Sequence, residues 1–447
     1  MKEEIIDVIR YRFDDDNMTA EVIERHEGIW NDYKGDIIIP DSVVFNGGNY
    51  RVTSIGKSAF YSCKSLKSIT IPDSVTNIGY RAFYFCESLA AIKVAKGNTV
   101  YDSRGNCNAL IHTATNTLIR GCKNTTIPDS VTNIGEEAFL GCKSLKYITI
   151  PDGVTSIGEY AFCCCESLKS ITILDSVESI GYRAFHKCES LTTVMISDSV
   201  TSIGKEAFNY CESLKSITIS NSVKSIGEDA FNGCSSLTAI EVAKGNTMYD
   251  SRENCNALIH TATNTLIRGC QNTTIPNSVT SIGKKAFNYC ESLKSIIIPD
   301  SVTSIGKDAF NFCFSLKYIA FIDSVTNIGR SAFHRCVSLK SIIIPDSVTT
   351  ISWGAFNECI SLKTIVIPDS VTSIEDYAFK DCESLTSIVI PDSVVNIGYH
   401  TFYGCKSLNS ITFQGTIAQW KKNTKNEDWC DWHLCVVHCT DGDVWCD

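Results

Sequence analysis

The sequence lacks any run of about 20 apolar residues, the length a bilayer-spanning helix needs, so no membrane span is expected. It also lacks a basic excess: 40 Lys and Arg stand against 50 Asp and Glu, a formal net charge of -10. Nucleic acid, whose phosphates call for clustered positive charge, is therefore not an expected partner. The opening stretch MKEEIIDVIRYRFDDDN has none of the basic, then apolar, then small-residue order of a secretory leader, and taken alone it describes an unexported, cytoplasmic chain. Signatures of catalysis are missing as well. No Gly-rich phosphate loop follows a strand, and neither an HExxH helix nor a glycine-flanked serine elbow occurs. The expectation is a protein that is not an enzyme and carries no cofactor. His186, His334 and His400 occupy variable places after AF or Gly, where exposure accounts for them.

What the chain has in abundance is cysteine, 23 residues, and one recurring phrase. The Phe of AF stands at 60, 83, 139, 162, 185, 208, 231, 287, 310, 333, 356 and 379, and that of TF at 402, every interval being 23 except two of 56, which are 23 plus 33. Three residues after each Phe comes a cysteine, from Cys63 to Cys405, so thirteen of the 23 form one column. Many cysteines in a small secreted chain suggest a disulfide framework. Here the regular column indicates small, buried side chains in a ladder. Coils about 4.8 Å apart bring successive Cα atoms within disulfide reach, but parallel side-chain directions and an odd count oppose systematic pairing, and nearly all thirteen are expected as thiols.

The common unit reads SLKSITIPDSVTSIGxxAFxxC. Its LKSITI portion alternates and is β-branched, which predicts a short strand. Pro and Asp-Ser turn the chain, VTSI gives a second short extended piece, and xxAF is expected to form one helical or 3₁₀ turn. A 23-residue coil cannot enclose a core alone and must stack on its neighbours. The period and the phrase L..I.IP..V..I...AF..C.SL resemble the leucine-rich repeats of BspA-like proteins. That resemblance runs from about Asp36 to Phe413. It implies a repeat solenoid: a leucine-rich-repeat superhelix with a parallel β-sheet on the concave face, and short strands and helical turns elsewhere. It also implies a noncatalytic protein-binding or adhesion module at the cell surface or secreted. The alternatives are an intracellular structural scaffold and a zinc-stabilised adaptor.

Three segments are expected: 1–56, an N-terminal hairpin cap of two strands and a modified first coil; 57–413, the solenoid; and 414–447, a Trp- and Cys-rich C-terminal cap. Residues 95–135 and 243–283 match at 36 of 41 positions, which marks a duplicated long unit. In it NALIHTATNTLIRG predicts a hairpin inserted in the stack. Tyr101, Asp102, Ser103, Arg104, Cys107, His112 and Cys122 recur as Tyr249, Asp250, Ser251, Arg252, Cys255, His260 and Cys270, and are read as turn and packing residues. Asp14, Asp15, Asp16 and Asn17 lack the glycine and alternating oxygens of an EF-hand and are read as a solvated turn.

Two rows are candidate contacts on the concave face. Lys67, Lys146, Lys169, Lys215, Lys294, Lys317, Lys340 and Lys363 follow the repeat Leu at its second place and form a basic stripe, unless Glu166, Glu212 and Glu291, three residues before Lys169, Lys215 and Lys294, neutralise it. At the fifth place Thr70, Thr149, Thr172 and Thr218 give way to Ile297, Ala320, Ile343, Val366 and Val389, with Tyr318 nearby. Such an apolar strip is the preferred binding patch, although Ile and Val also simply suit a parallel sheet. The partner expected is a protein, such as one of the host or its matrix, or a glycan, bound by a monomer. Cys430, His433, Cys435, His438, Cys439 and Cys446 have the residue types of a zinc site without the spacing of a finger, and packed side chains are the preferred reading.

Overall fold

The computed structural model describes residues 2–25, 33–321, 324–425, 428–430 and 436–445. It is a β-solenoid of about 16 turns. Its contacts define two compact units, residues 1–214 with 222–231, and residues 215–221 with 232–447.

Within a unit, successive coils join through up to three backbone ladders. In the second unit the strand Ser387–Ile390 runs parallel to Ser410–Phe413, with Ile388 opposite Ile411. Alternation buries Ile388 and Ile390 and leaves Ser387 and Val389 exposed. After the Pro391 turn, Asn396–Ile397 pairs with Ser373–Ile374. Polar columns of the repeat close further bonds between coils: Ser370 and Ser393 donate to the carbonyls of Val348 and Val371 at 2.6 and 2.7 Å. Leu, Ile, Val, Ala and Phe of each coil line the interior, where Leu293, Ile298, Val302, Ala309 and Phe310 are fully buried.

The third side departs from the expected helical turn. Around Phe379 the N–H groups of Ala378, Lys380 and Cys382 close single turns onto the carbonyls three residues back, while those of Tyr377, Phe379 and Asp381 reach the next coil at Tyr399, Thr401 and Tyr403. Tyr377 and Asp381, two residues either side of Phe379, are left-handed, with φ of 59° and 57°. The same pair flanks the other repeat phenylalanines, as Ser58 and Ser62 around Phe60 or Arg183 and Lys187 around Phe185. A helix would spend all its N–H groups within the coil. Left-handed residues, each costing about 1–2 kcal/mol without glycine, turn alternate N–H groups outward to bond the neighbour. The phenylalanine rings stack in register, 4.8–5.6 Å apart from Phe139 to Phe231 and 4.9–5.5 Å apart from Phe287 to Phe402.

At the N-terminus IIDVIRYRF does not form one strand. Left-handed Asp7 and Val8 divide it into β1 (Lys2–Ile6) and β2 (Ile9–Asp14), so the antiparallel set contains three strands with β3 (Thr19–Ile23), rather than two. Each of the two long units carries an antiparallel strand pair. Leu110–His112 pairs antiparallel with Thr117–Arg120, which then pairs parallel with Asn133–Ile134; residues 258–268 repeat this in the second unit. Among the described residues the α-helix is Ile417–Lys422, capped reciprocally by Thr416 and Gln419, with Trp420 packed on Phe413 and Trp429. No helix there is long and apolar enough to cross a membrane.

Candidate functional site

Strand alternation turns the residues two and four after each repeat Leu outward. In the second unit this sets Ile297 opposite Ala320, and Val366 between Ile343 and Val389. Neighbouring paired strands lie about 4.8 Å apart, so these side chains form two apolar runs on successive coils, Ile297 with Ala320 and Ile343 with Val366 and Val389, on either side of a break in the strand ladder between Ala320 and Ile343. Ile343 is 78% exposed, Ile297 64%, Val366 62%, Tyr318 57% and Val389 37%, with Ala320 half-buried between the larger residues. Beside these runs, Lys294, Lys317, Lys340 and Lys363 come from four successive coils and are exposed. Their backbones are fixed by bonds from the Lys317 N–H to the Lys294 carbonyl and from the Lys363 N–H to the Lys340 carbonyl. Lys215 is exposed elsewhere in this unit, and Lys67, Lys146 and Lys169 are exposed in the first.

The expected neutralisation of Lys169 by Glu166 does not occur. Glu166 lies on the flank and pairs with Lys143, one coil back, at 3.0 Å. Among the described residues none of the eight stripe lysines makes an ion pair. The first unit also exposes Ile38 and Met195 on its strands and Tyr147 at an isolated bridge to Ser170. Met195, opposite Thr172, interrupts the threonine row there.

The other candidates have structural partners. Asp102 clamps Arg104 at 2.6 Å, Ser103 accepts the Val94 N–H, the Tyr101 ring meets His112 edge-on, and the Cys107 and Cys122 thiols reach backbone carbonyls. In the copy, Asp250 clamps Arg252 at 2.6 Å, Ser251 accepts the Val242 N–H, Tyr249 meets His260, and Cys255 and Cys270 reach carbonyls. Asp14 accepts N–H groups from Asp16 and Asn17, closing its turn, and Tyr50 donates to Asp15. His186, His334 and His400 are half-buried rather than exposed, because the place after Phe185 and Phe333, like the place two before Phe402, packs against aromatic rings of the flank. Burial and the nearby Arg183 and Lys187 lower His186 to about 4.

Of the terminal Cys/His cluster, His433, Cys435 and Cys446 lie outside the described residues. Cys430 is buried where its backbone makes an isolated bridge to Phe402, His438 bonds Asp443 at 2.8 Å, and Cys439 is half-buried. Among the described residues no three His, Cys, Asp or Glu side chains converge for a metal.

One functional element escaped the sequence reading. Where the inserted hairpin replaces an AF turn, the Arg120 guanidinium takes over the missing backbone donors, bonding the carbonyls of Glu137 and Leu140 at 3.2 and 3.1 Å, while the Gly121 N–H reaches Ala138. A side chain on Gly121 would meet the Phe139 ring at 2.0 Å. Arg268 and Gly269 repeat the arrangement against Asn288 and Ala286. The RG pair at the end of each hairpin was the available signal.

A family model described as BspA type leucine rich repeat region (6 copies) matches residues 42–120, 116–238, 268–386 and 372–424. Among solved structures, a leucine rich cell surface protein from Faecalibacterium prausnitzii A2-165 is 31% identical, with 96% of this chain and 98% of that chain covered and a TM-score of 0.57. A leucine-rich repeat protein from Bacteroides ovatus ATCC 8483 is 29% identical over 98% and 100% of the chains, with a TM-score of 0.51. The pneumococcal vaccine antigen PcpA, 19% identical over 98% and 99%, shares the fold at a TM-score of 0.53. No functionally curated protein matches the chain.

Proposed function

Since the chain belongs to the BspA-type leucine-rich repeat family, we propose that it is a noncatalytic recognition module binding a protein through the strand face of its second unit. The observation that carries this reading is the pair of apolar runs between Ile297 and Val389 beside the lysine row from Lys294 to Lys363. Exposed apolar runs on successive coils favour a partner, and flanking positive charge favours an acidic rim on it. The likeness to a cell surface protein supports adhesion as the setting. A monomer suffices, because each row is built within one chain.

A second reading, a repeat scaffold in a reducing compartment, is favoured by the cysteine column, whose thiols act as hydrogen-bond donors to backbone. Detection of intact protein on unpermeabilised cells separates the two: surface labelling supports adhesion, and confinement to the soluble cell interior defeats it. For the binding face, Ile343→Asp with Val366→Asp is expected to abolish capture of matrix proteins that the wild type retains, with cooperative melting preserved. Equal capture by the folded double variant would defeat the assignment.

A further inference from the structure

Cys163, Cys164 and Cys165 are the one place in the chain where cysteines adjoin. Cys165 belongs to the ladder, fully buried and bonded to the Phe139 carbonyl at 3.2 Å. The other two occupy the flank of the first unit. Cys163 is 5% exposed and packs with Tyr84 and Leu140. Cys164, at a left-handed φ of 59°, is half-buried. Their Sγ atoms are 3.6 Å apart. Two thiolates on one tetrahedral ion, each at about 2.3 Å, sit ~3.8 Å from one another, so the observed separation is close to a chelating bite. The ladder holds it: the Cys163 N–H bonds Tyr160 at 3.0 Å and the Cys164 N–H bonds His186 at 2.8 Å.

The surroundings favour a thiolate at Cys164. The hydrogen bond from Cys163 contributes most, Lys187 and Lys143 assist, and burial and Glu166 oppose, so Cys164 is lowered, while the same bond and burial hold Cys163 well above its ordinary value as the protonated donor until a centre displaces its proton. Ladder thiols behave like Cys163 and unlike Cys164, since burial raises them: Cys359 to about 12, and Cys188 and Cys313 well above the ordinary value.

We propose that Cys163 and Cys164 form a bidentate dithiolate site for a thiophilic centre, a soft metal ion or trivalent arsenic, entered through Cys164. Among the described residues no third protein ligand converges there, so other coordination positions are filled from solution. With an arylarsenic oxide the step is redox-neutral: two S–H bonds and the As=O bond break, two As–S bonds form, and one water leaves carrying both protons.

Phenylarsine oxide added to the reduced full chain tests this. One phenylarsenic bridge is expected on the peptide holding Cys163 and Cys164, resistant to excess monothiol and removed by 2,3-dimercaptopropanol. The repeat supplies its own controls, because neighbouring coils place Leu140 and Gly141 at the same two positions. Cys163→Leu and Cys164→Gly should each lower adduct retention roughly tenfold or more, since the second bond forms at high effective concentration, without lowering the melting temperature. Should a variant fail to fold, the wild type decides: the bound arsenical should protect both thiols from iodoacetamide. An adduct mapping elsewhere, one lost to monothiol, or one retained by either single variant would overturn the assignment, as would alkylation of both thiols in the presence of the arsenical.

Discussion

The thiol of Cys211 lies 3.2 Å from the carbonyl oxygen of Phe185, one coil back, and donates to it. That oxygen already accepts the Cys188 N–H, also at 3.2 Å. The relationship recurs as Cys188 to Phe162, Cys336 to Phe310 and Cys382 to Phe356, each at 3.2 Å. Cysteine suits the place because it is a small apolar body with a weak donor, able to use the second lone pair of a buried carbonyl. Cys211→Ala removes that donor and opens a small void, and should cost about 1–2 kcal/mol by the usual magnitudes of both effects. Urea unfolding at equilibrium would measure it, and an unchanged midpoint would show the thiol to be mere filling.

Arg120 is buried, with a guanidinium standing in for a strand of backbone donors. Arg120→Met keeps much of the volume and strands the Leu140 carbonyl, while the Glu137 carbonyl keeps only the Leu140 N–H. A loss of about 1–3 kcal/mol is expected from the penalty for an unsatisfied buried polar group. The loss should appear in the stability of the first unit, read by hydrogen exchange of its amides. Arg120→Lys, with one ammonium for two diverging acceptors, should recover only part of it.

His186 couples stability to pH. Its folded value, about 4, lies below the ordinary 6.5, so the unfolded chain binds the extra proton first as pH falls. Its contribution is complete above about 6.5 and lost progressively on acidification toward 4. Arg183 and Lys187 reinforce the effect and Glu206 opposes it. The next coil places Asn209 at the same position. His186→Asn should therefore fold normally and show a shallower fall in melting temperature between pH 6.5 and 4 than the wild type.

The lysine row should declare itself through salt. Lys317→Glu with Lys340→Glu reverses two adjacent charges on an exposed face, leaving the buried columns untouched. Partner association should slow, and its dependence on ionic strength should weaken or change sign, because exposed charges act chiefly on encounter. Association rates at several salt concentrations would distinguish this from the apolar double variant, which should act on dissociation.

The period and the Leu, Phe and Cys columns could all be read from residue types, because burial restricts what those places accept. The left-handed pair flanking each Phe could not. Ser58, Arg81, Tyr160 and Lys285 share one such place, and their side chains carry no mark of a conformation imposed by bonds to the next coil. Glu166 misled for a related reason: three residues from Lys169 in sequence, it lies on a different side of the coil and meets Lys143 instead. The exposed rows were legible from alternation alone. Arg120 was not, since an arginine ending a strand resembles any surface arginine until the coil it replaces is seen to be missing.

The stacked turns around Phe have a consequence for how this protein diverges. Their backbone groups are committed to neighbouring coils, so the place immediately after Phe contributes little to the framework and holds Tyr84, Leu140, Cys163, His186 and Asn209 in different coils. Aromatic, aliphatic, sulfhydryl, imidazole and amide chemistry thus occupy equivalent sites on one scaffold. New properties can arise there by single substitutions, each tried in one coil while its neighbours continue to hold the fold.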